Sequence, residues 1–136
     1  MRRILLLAAI LVCVYLPAQN WTISTNTNHI YDLSAKGNDL YLATWGGVLQ
    51  LSPGNDSSSL NAYTEKKIYQ KGTGLVSNDI RTLSYIDFSS SLWMGSSDNG
   101  ISILSQPGFQ NLGSDLGLPS LKVTRIIEHQ STILVA

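Results

Sequence analysis

The chain repeats itself, and the period of the repeat constrains the fold more than any single motif does. Residues 74–83 are echoed by residues 117–126, at a spacing of 43 residues. In an earlier copy, Ile30 and Leu33 lie 50 residues before their counterparts, and the polar stretch 52–59 accounts for the extra length. Self-similarity at a period of roughly 20 to 50 residues is typical of solenoids, propellers and repeat arrays. We therefore expect one structural unit that recurs along the chain.

The rest of each unit repeats as well, and its segments have the pattern of short β-strands. Two sets of segments correspond: residues 40–44, 92–96 and 133–136 in one set, and residues 47–51 and 100–104 in the other. Each segment is rich in apolar and β-favouring residues and is bounded by Gly, Ser, Asn or Asp. The polar clusters at 36–39 and 96–100 predict hairpin turns, because Asn and Gly tolerate a positive φ. After Ala18, no segment has the length and pattern of an ordinary helix.

A period of 43 residues with about four short strands predicts one blade of a β-propeller, in which four-stranded sheets pack face to face. We therefore expect an all-β chain of four-stranded antiparallel blades. The middle copy, residues 74–104, resembles the two-component regulator propeller repeat in order and spacing at the following positions: Gly74, Leu75, Asn78, Ile80, Arg81, Leu83, Asp87, Leu92, Trp93, Gly95, Asp98, Asn99, Gly100 and Ile101. The Gly-His and Trp-Asp signature of another propeller class is absent from the sequence.

This resemblance implies a closed ring of blades outside the cytoplasm. In one branch of the family, such rings form the sensor half of hybrid two-component receptors, above a membrane helix, a kinase and a regulator. In another branch, they belong to secreted or surface proteins that carry a terminal sorting domain. We therefore expect a non-enzymatic module that senses a ligand in a signalling receptor. The alternative is a secreted or cell-surface scaffold that binds proteins or glycans, and an enzyme is the third class.

Residues 1–18 have the pattern of a secretory signal peptide that is removed from the mature protein. Two arginines precede an unbroken apolar run at residues 4–16, and Ala18 supplies a small residue for cleavage. Thirteen residues rise only about 20 Å as a helix, short of the roughly 30 Å hydrocarbon core, so a membrane-spanning anchor is less favoured. Lipid attachment at Cys13 is a further alternative. The bulky residue that precedes Cys13 argues against it. We expect the mature protein in the periplasm, outside the cell or on its surface.

The composition of residues 19–136 excludes several function classes. Seven basic residues stand against nine acidic ones, so the mature chain is mildly acidic and lacks the basic surplus that phosphate neutralisation needs. A nucleic-acid partner is therefore not expected. Cysteine is absent after residue 18, which excludes disulfide scaffolds, thiolate zinc sites and cysteine nucleophiles. Packing and backbone pairing must supply the stability.

The mature length predicts an incomplete ring. At one blade per 43 residues, 118 residues give about 2.7 blades, whereas a ring needs roughly four to eight. We place the blade repeats near residues 28–70, 78–112 and 121–136, and we expect residues 20–25 to form an outer strand that closes the ring. The chain is then the N-terminal portion of a longer protein whose remaining blades are its partners, and alone it is expected to be only marginally stable.

One residue stands out as a candidate for ligand binding. Trp45 lies beside two glycines at the predicted end of a blade, where an aromatic ring is suited to stacking on a sugar ring. Core packing is the more common role of tryptophan, and this interpretation is favoured here. Trp93 occupies a position matched in the repeat, and we expect it in the core.

The remaining chemistry-bearing residues have ordinary structural interpretations. His29 and His129 are the only histidines, and we expect both in turns or on solvated strand faces. A small basic cluster is expected on a solvated outer strand, although it also suits an acidic ligand: Lys66, Lys67 and Lys71. The segment 98–100 resembles part of a calcium loop, but Gly95 and Ser97 stand where acidic ligands should be. We therefore expect no catalytic residue, no metal ligand and no cofactor.

Overall fold

The computed structural model describes residues 26–54 and 63–136, and in these ranges the regular structure is almost entirely β-strand. The strands are β1 (Ile30–Lys36), β2 (Asp39–Thr44), β3 (Gly47–Pro53), β4 (Tyr63–Tyr69), β5 (Ile80–Ile86), β6 (Ser91–Ser96), β7 (Ile101–Leu104), β8 (Phe109–Leu112), β9 (Ile126–His129) and β10 (Thr132–Val135). Two 3₁₀ helices span Lys71–Thr73 and Ser114–Leu116. In these ranges, no helix is long and apolar enough to cross a membrane. The predicted signal peptide and the predicted strand at 20–25 lie outside the described residues.

The strands form three antiparallel sheets that follow chain order. Sheet A contains β1 to β4, sheet B contains β5 to β8, and sheet C contains β9 and β10, each strand paired with its neighbour in sequence. Sheets A and B fall within the repeat ranges 28–70 and 78–112, and sheet C lies within 121–136. The prediction of an all-β chain with four-stranded antiparallel sheets is confirmed.

Sheet B lies between the other two sheets, because both of its faces are apolar. Side chains alternate across a strand, so Leu92 and Met94 of β6 point to one face while Trp93 points to the other. The first face packs on sheet A in a buried cluster: Tyr41, Ala43, Val48, Tyr69, Leu75, Ile80, Leu83, Leu92 and Met94. The second face packs on sheet C through a smaller cluster: Ile101, Ile103, Val123 and Ile126, with Trp93 partly buried against it. Trp93 thus lies in the core between two sheets, as expected.

The first strands of successive sheets lie side by side, β1 beside β5 and β5 beside β9. Asp32 Oδ2 accepts hydrogen bonds from the backbone N–H of Leu83, at 2.9 Å, and from the hydroxyl of Thr82, at 3.0 Å. Ser34 Oγ accepts from the backbone N–H of Tyr85, at 3.0 Å. These N–H groups lie on the edge of β5 away from β6. Side chains of β1 therefore occupy a sheet edge that would otherwise attract another strand.

Two turns that occupy matched positions in the repeat are built alike. The hydroxyl of Thr44 donates to the carbonyl of Gly47, at 2.8 Å, and the hydroxyl of Ser96 donates to the carbonyl of Gly100, at 2.9 Å. Both glycines have positive φ, +117° and +88°, and a Cβ on either would collide with the carbonyl of the last residue of β4 or β8. The repeat therefore preserves glycine here for both conformation and space.

The linkers between sheets repeat the same local structure. Each begins with one of the 3₁₀ helices and continues through a Gly-Leu pair whose leucine packs inward. The hydroxyl of Ser77 accepts from the backbone N–H of Asp79, at 3.1 Å, and that of Ser120 accepts from Lys122, at 3.1 Å. The 43-residue spacing thus corresponds to one sheet plus one linker of fixed geometry.

Candidate functional site

The loops at one end of the three sheets form a common surface. We call the end at which β1, β5 and β9 begin the upper end, and the opposite end the lower end. The β2–β3 and β6–β7 turns both lie at the upper end, as do the linkers that lead into β5 and β9. Loops carried on a rigid sheet scaffold are the usual location of binding residues.

Trp45 lies at the upper end, at the tip of the β2–β3 turn, and 59% of its surface is exposed. Core packing, the interpretation favoured for Trp45, is therefore wrong: in the part of the chain that the structure describes, the indole is exposed. The reason is local: the hydroxyl of Thr44 closes the turn by bonding to Gly47 and to the N–H of Gly46, and the indole between them projects outward. An exposed indole beside two glycines leaves a flat apolar surface free for stacking.

A polar cluster lies at the same end, around the start of β5. Arg81 Nη2 donates to Asp79 Oδ2, at 2.8 Å, and Ser97 Oγ donates to the same oxygen, at 2.6 Å. Arg81 Nε lies 2.8 Å from Asp79 Oδ1 in an ionic contact that is not aligned as a hydrogen bond. The guanidinium also stacks on Tyr31 of sheet A, 4.0 Å from the ring centroid. This cluster therefore joins sheets A and B at the upper end.

The cluster keeps its charges at neutral pH. Partial burial acts to raise the pKa of Asp79, but the hydrogen bonds from Arg81 and Ser97 outweigh it and hold that pKa below its ordinary value. The hydrogen bond to Asp79 in turn raises the pKa of Arg81. The pair consequently presents a fixed array of one carboxylate and one guanidinium, which is suited to orienting a polar ligand.

An open cleft of about 580 Å³ adjoins this pair, and its lining residues are Asp79, Arg81, Ser97, Lys122, Val123 and Thr124. The cleft lies where the linker into β9 meets the β6–β7 turn, since the N–H of Val123 donates to the carbonyl of Ser96, at 2.9 Å. Sequence reasoning missed Asp79 and Arg81 as site residues. Asp79 directly precedes β5 and Arg81 lies within it, and a charged pair at this spacing is common beside any exposed strand.

The other residues singled out in the sequence do not line this cleft. His29 precedes β1 at the upper end and His129 ends β9 at the lower end, so the structure keeps the two exposed histidines apart. Lys66 and Lys67 are exposed on β4, the outer strand of sheet A, and Lys71 begins a 3₁₀ helix. Within residues 26–54 and 63–136, no three histidine, cysteine or acidic side chains are grouped closely enough to hold a metal ion.

Comparisons with protein-family models, with curated proteins and with solved structures find no match for the chain. The resemblance to the two-component regulator propeller repeat therefore depends on the sequence positions named above. What the structure adds is geometric: consecutive antiparallel sheets, stacked face to face, with their first strands adjacent.

Proposed function

We propose that the chain is part of an extracytoplasmic β-propeller that recognises a ligand, without catalysis of its own, as the sensing module of a signalling receptor. One observation carries the proposal. The three repeats present their upper loops on one surface, where an exposed indole and a fixed charged pair occur on successive sheets. A surface assembled from several repeats in this way is how propellers offer a binding face.

Two features support placing the ligand at the upper end. Trp45 exposes a large apolar ring, and Asp79 with Arg81 offers oriented hydrogen-bonding groups that are already held by Ser97 and Tyr31. Recognition sites usually combine an aromatic surface with a few preorganised polar groups, and here the two kinds of group lie on successive sheets at the same end. A glycan or a protein loop is the class of ligand that this combination suits.

Export is the first element of the proposal to test. A leaderless alkaline phosphatase fused after residue 136 becomes active only if the signal at residues 1–18 directs translocation. We expect activity in the fusion and its loss when the apolar run 4–16 is deleted. Mass spectrometry should find an N-terminus near Gln19. Retention of the intact chain in the cytosol would contradict the proposal.

Binding is tested with glycan and peptide arrays that are probed with the purified full-length protein. We expect Trp45→Ala to weaken binding by about tenfold or more, as the loss of a stacked aromatic anchor does. Phe88→Ala is the matched control, because Phe88 is 53% exposed but lies in a turn at the lower end. Equal effects of the two substitutions would argue against an upper-end site.

A cellular readout distinguishes the proposed sensing module from the alternative, a secreted scaffold. In cells that carry the native gene, a sensing module predicts a transcriptional response to the bound ligand, and Trp45→Ala abolishes that response. A scaffold predicts binding to the same ligand without a response. Binding with no response would therefore replace the first proposal by the second.

A further inference from the structure

The cleft beside Arg81 at the upper end carries more positive than negative charge. Its ionisable lining residues are Asp79, Arg81 and Lys122, and its volume of about 580 Å³ lies within the range of small-molecule pockets, roughly 300 to 1,000 Å³. The one carboxylate is already paired with Arg81. Lys122 is exposed, and among the described residues its ammonium forms no ion pair. The cleft therefore has positive charge left for a ligand.

The guanidinium of Arg81 is held in place with one end left over. Its Nε–Nη2 edge faces Asp79, with each nitrogen 2.8 Å from a carboxylate oxygen, and its flat face lies on the ring of Tyr31. Among the described residues, Nη1 has no hydrogen-bond partner, and unlike Nε it is not buried. A guanidinium carries five N–H donors, so the end that bears Nη1 still offers two parallel N–H groups. Such an end matches the two oxygens of a second carboxylate.

The two hydroxyl groups of the lining residues have already donated their protons. Ser97 Oγ donates to Asp79 Oδ2, at 2.6 Å, and Thr124 Oγ1 donates to the carbonyl of Ala136, at 3.1 Å. A hydroxyl whose proton is engaged offers only its lone pairs, so toward a ligand both groups act as acceptors. The cleft thus combines donors that suit a carboxylate with acceptors that suit hydroxyl groups.

A ligand that fits this pattern carries an anionic group and several O–H donors on one small frame. We propose that the upper cleft binds an acidic sugar. The carboxylate of a hexuronic acid lies against the free end of Arg81 and near Lys122, and ring hydroxyls donate to Ser97 and Thr124. This inference rests on the proposed function, because it names the ligand class of the same upper surface. An acidic peptide supplies the carboxylate without the hydroxyl groups, and so it fits less well.

Isothermal titration calorimetry of the purified full-length protein tests the proposal with four probes. Methyl β-D-glucuronide carries the carboxylate and the hydroxyl groups. Its carboxamide and methyl β-D-glucoside keep the ring without the charge, and N-acetylaspartate N-methylamide carries a carboxylate on a peptide frame. We expect the glucuronide to bind at millimolar concentration. The other three probes should bind about tenfold more weakly or not at all, because each lacks either the charge-assisted contact or the hydroxyl contacts.

Three results would overturn the acidic-sugar proposal. Equal binding of the glucuronide and its carboxamide would show that the carboxylate is not recognised. A peptide probe as tight as the glucuronide would replace the sugar by an acidic protein loop. Absence of glucuronide binding would show that the cleft is not a site for this class. In each case the array test with Trp45→Ala still decides the proposed function, because it does not depend on the charge of the ligand.

Substitutions locate the site. Arg81→Lys keeps the charge beside Asp79 but removes the parallel N–H groups, so glucuronide binding should weaken about fivefold or more. Lys122→Met should weaken it about two- to fivefold, as loss of one exposed charge contact. Lys36→Met is the matched control, because Lys36 is an exposed lysine that ends β1 at the lower end. Full binding in both upper-cleft variants, or an equal loss in the control, contradicts the assignment. Circular dichroism checks that each variant is folded, and if Arg81→Lys is not, Lys122→Met and the carboxamide probe still decide the question.

Discussion

At the scale of single residues, the contact between sheets A and B depends on short polar side chains as well as on apolar packing. Asp32 and Ser34 accept hydrogen bonds from backbone N–H groups on the unpaired edge of β5. A free strand edge in water exchanges its amide protons and attracts other strands. Here the edge is satisfied by the neighbouring repeat, so these two residues link sheet A to sheet B.

Hydrogen exchange tests this link. We expect slow amide exchange at Leu83 and Tyr85, although both lie on a strand edge, because their N–H groups are bonded to Asp32 and Ser34. Asp32→Ala should accelerate exchange at Leu83 by about tenfold or more, by loss of a charge-assisted hydrogen bond. Ser84 should be unaffected, since its N–H lies between those of Leu83 and Tyr85 and points to the opposite edge, toward β6. Fast exchange at Leu83 in the unsubstituted protein would contradict the contact.

The ionisation of Tyr41 gives a prediction about pH. Burial, followed by the nearby Tyr69 and Asp39, raises the pKa of Tyr41 to about 12, whereas an unfolded tyrosine titrates near 10. Between about pH 10 and pH 12, the unfolded chain releases this proton and the folded chain keeps it, so stability falls as pH rises through that window. In the Tyr41→Phe variant, the urea concentration at the midpoint of unfolding should fall less steeply between about pH 9 and pH 11. An identical fall in both proteins would contradict the prediction.

At the scale of elements, the matched upper turns explain why the repeat preserves glycine. Gly100→Ala is expected to cost about 1 to 3 kcal/mol, because the turn needs a positive φ and the carbonyl of Leu112 occupies the place of a Cβ. Gly108→Ala should stay within about 0.5 kcal/mol, since nothing lies near its Cβ position. Urea unfolding of both variants measures the difference, and equal costs would show that the turn geometry is wrong.

The strands and hairpins were predictable from the sequence because they depend on local pattern. Alternating apolar residues and the turns that contain Asn and Gly locate β1, β2 and β5 to β7, and the repeat locates their counterparts. The site was predictable only in part. The two glycines that follow Trp45 made it a candidate in the sequence, but the exposure of its side chain depends on how the β2–β3 turn closes. The stacking of Arg81 on Tyr31 depends on a contact between sheets, which no local pattern encodes.

At the scale of the whole molecule, the sheets are stacked but the stack is not covered at its end. The far face of sheet A, away from sheet B, is apolar: Leu33, Leu40, Leu42, Leu49, Leu51 and Ile68. Leu33 is 62% exposed, and the other five are partly exposed. In the proposed ring, a further blade packs on this face, as sheet A packs on sheet B.

The central claim is that sheets A and B are successive blades, which converge at their first strands and diverge toward their outer strands. Electron paramagnetic resonance tests it directly, because Cys13 is the sole cysteine and lies in the predicted signal peptide. One pair of spin labels is placed at Ala35 in β1 and Ser84 in β5, and another at Glu65 in β4 and Gln110 in β8. We predict a clearly shorter distance for the first pair than for the second. Equal distances would indicate two parallel layers of a sandwich and would contradict the propeller.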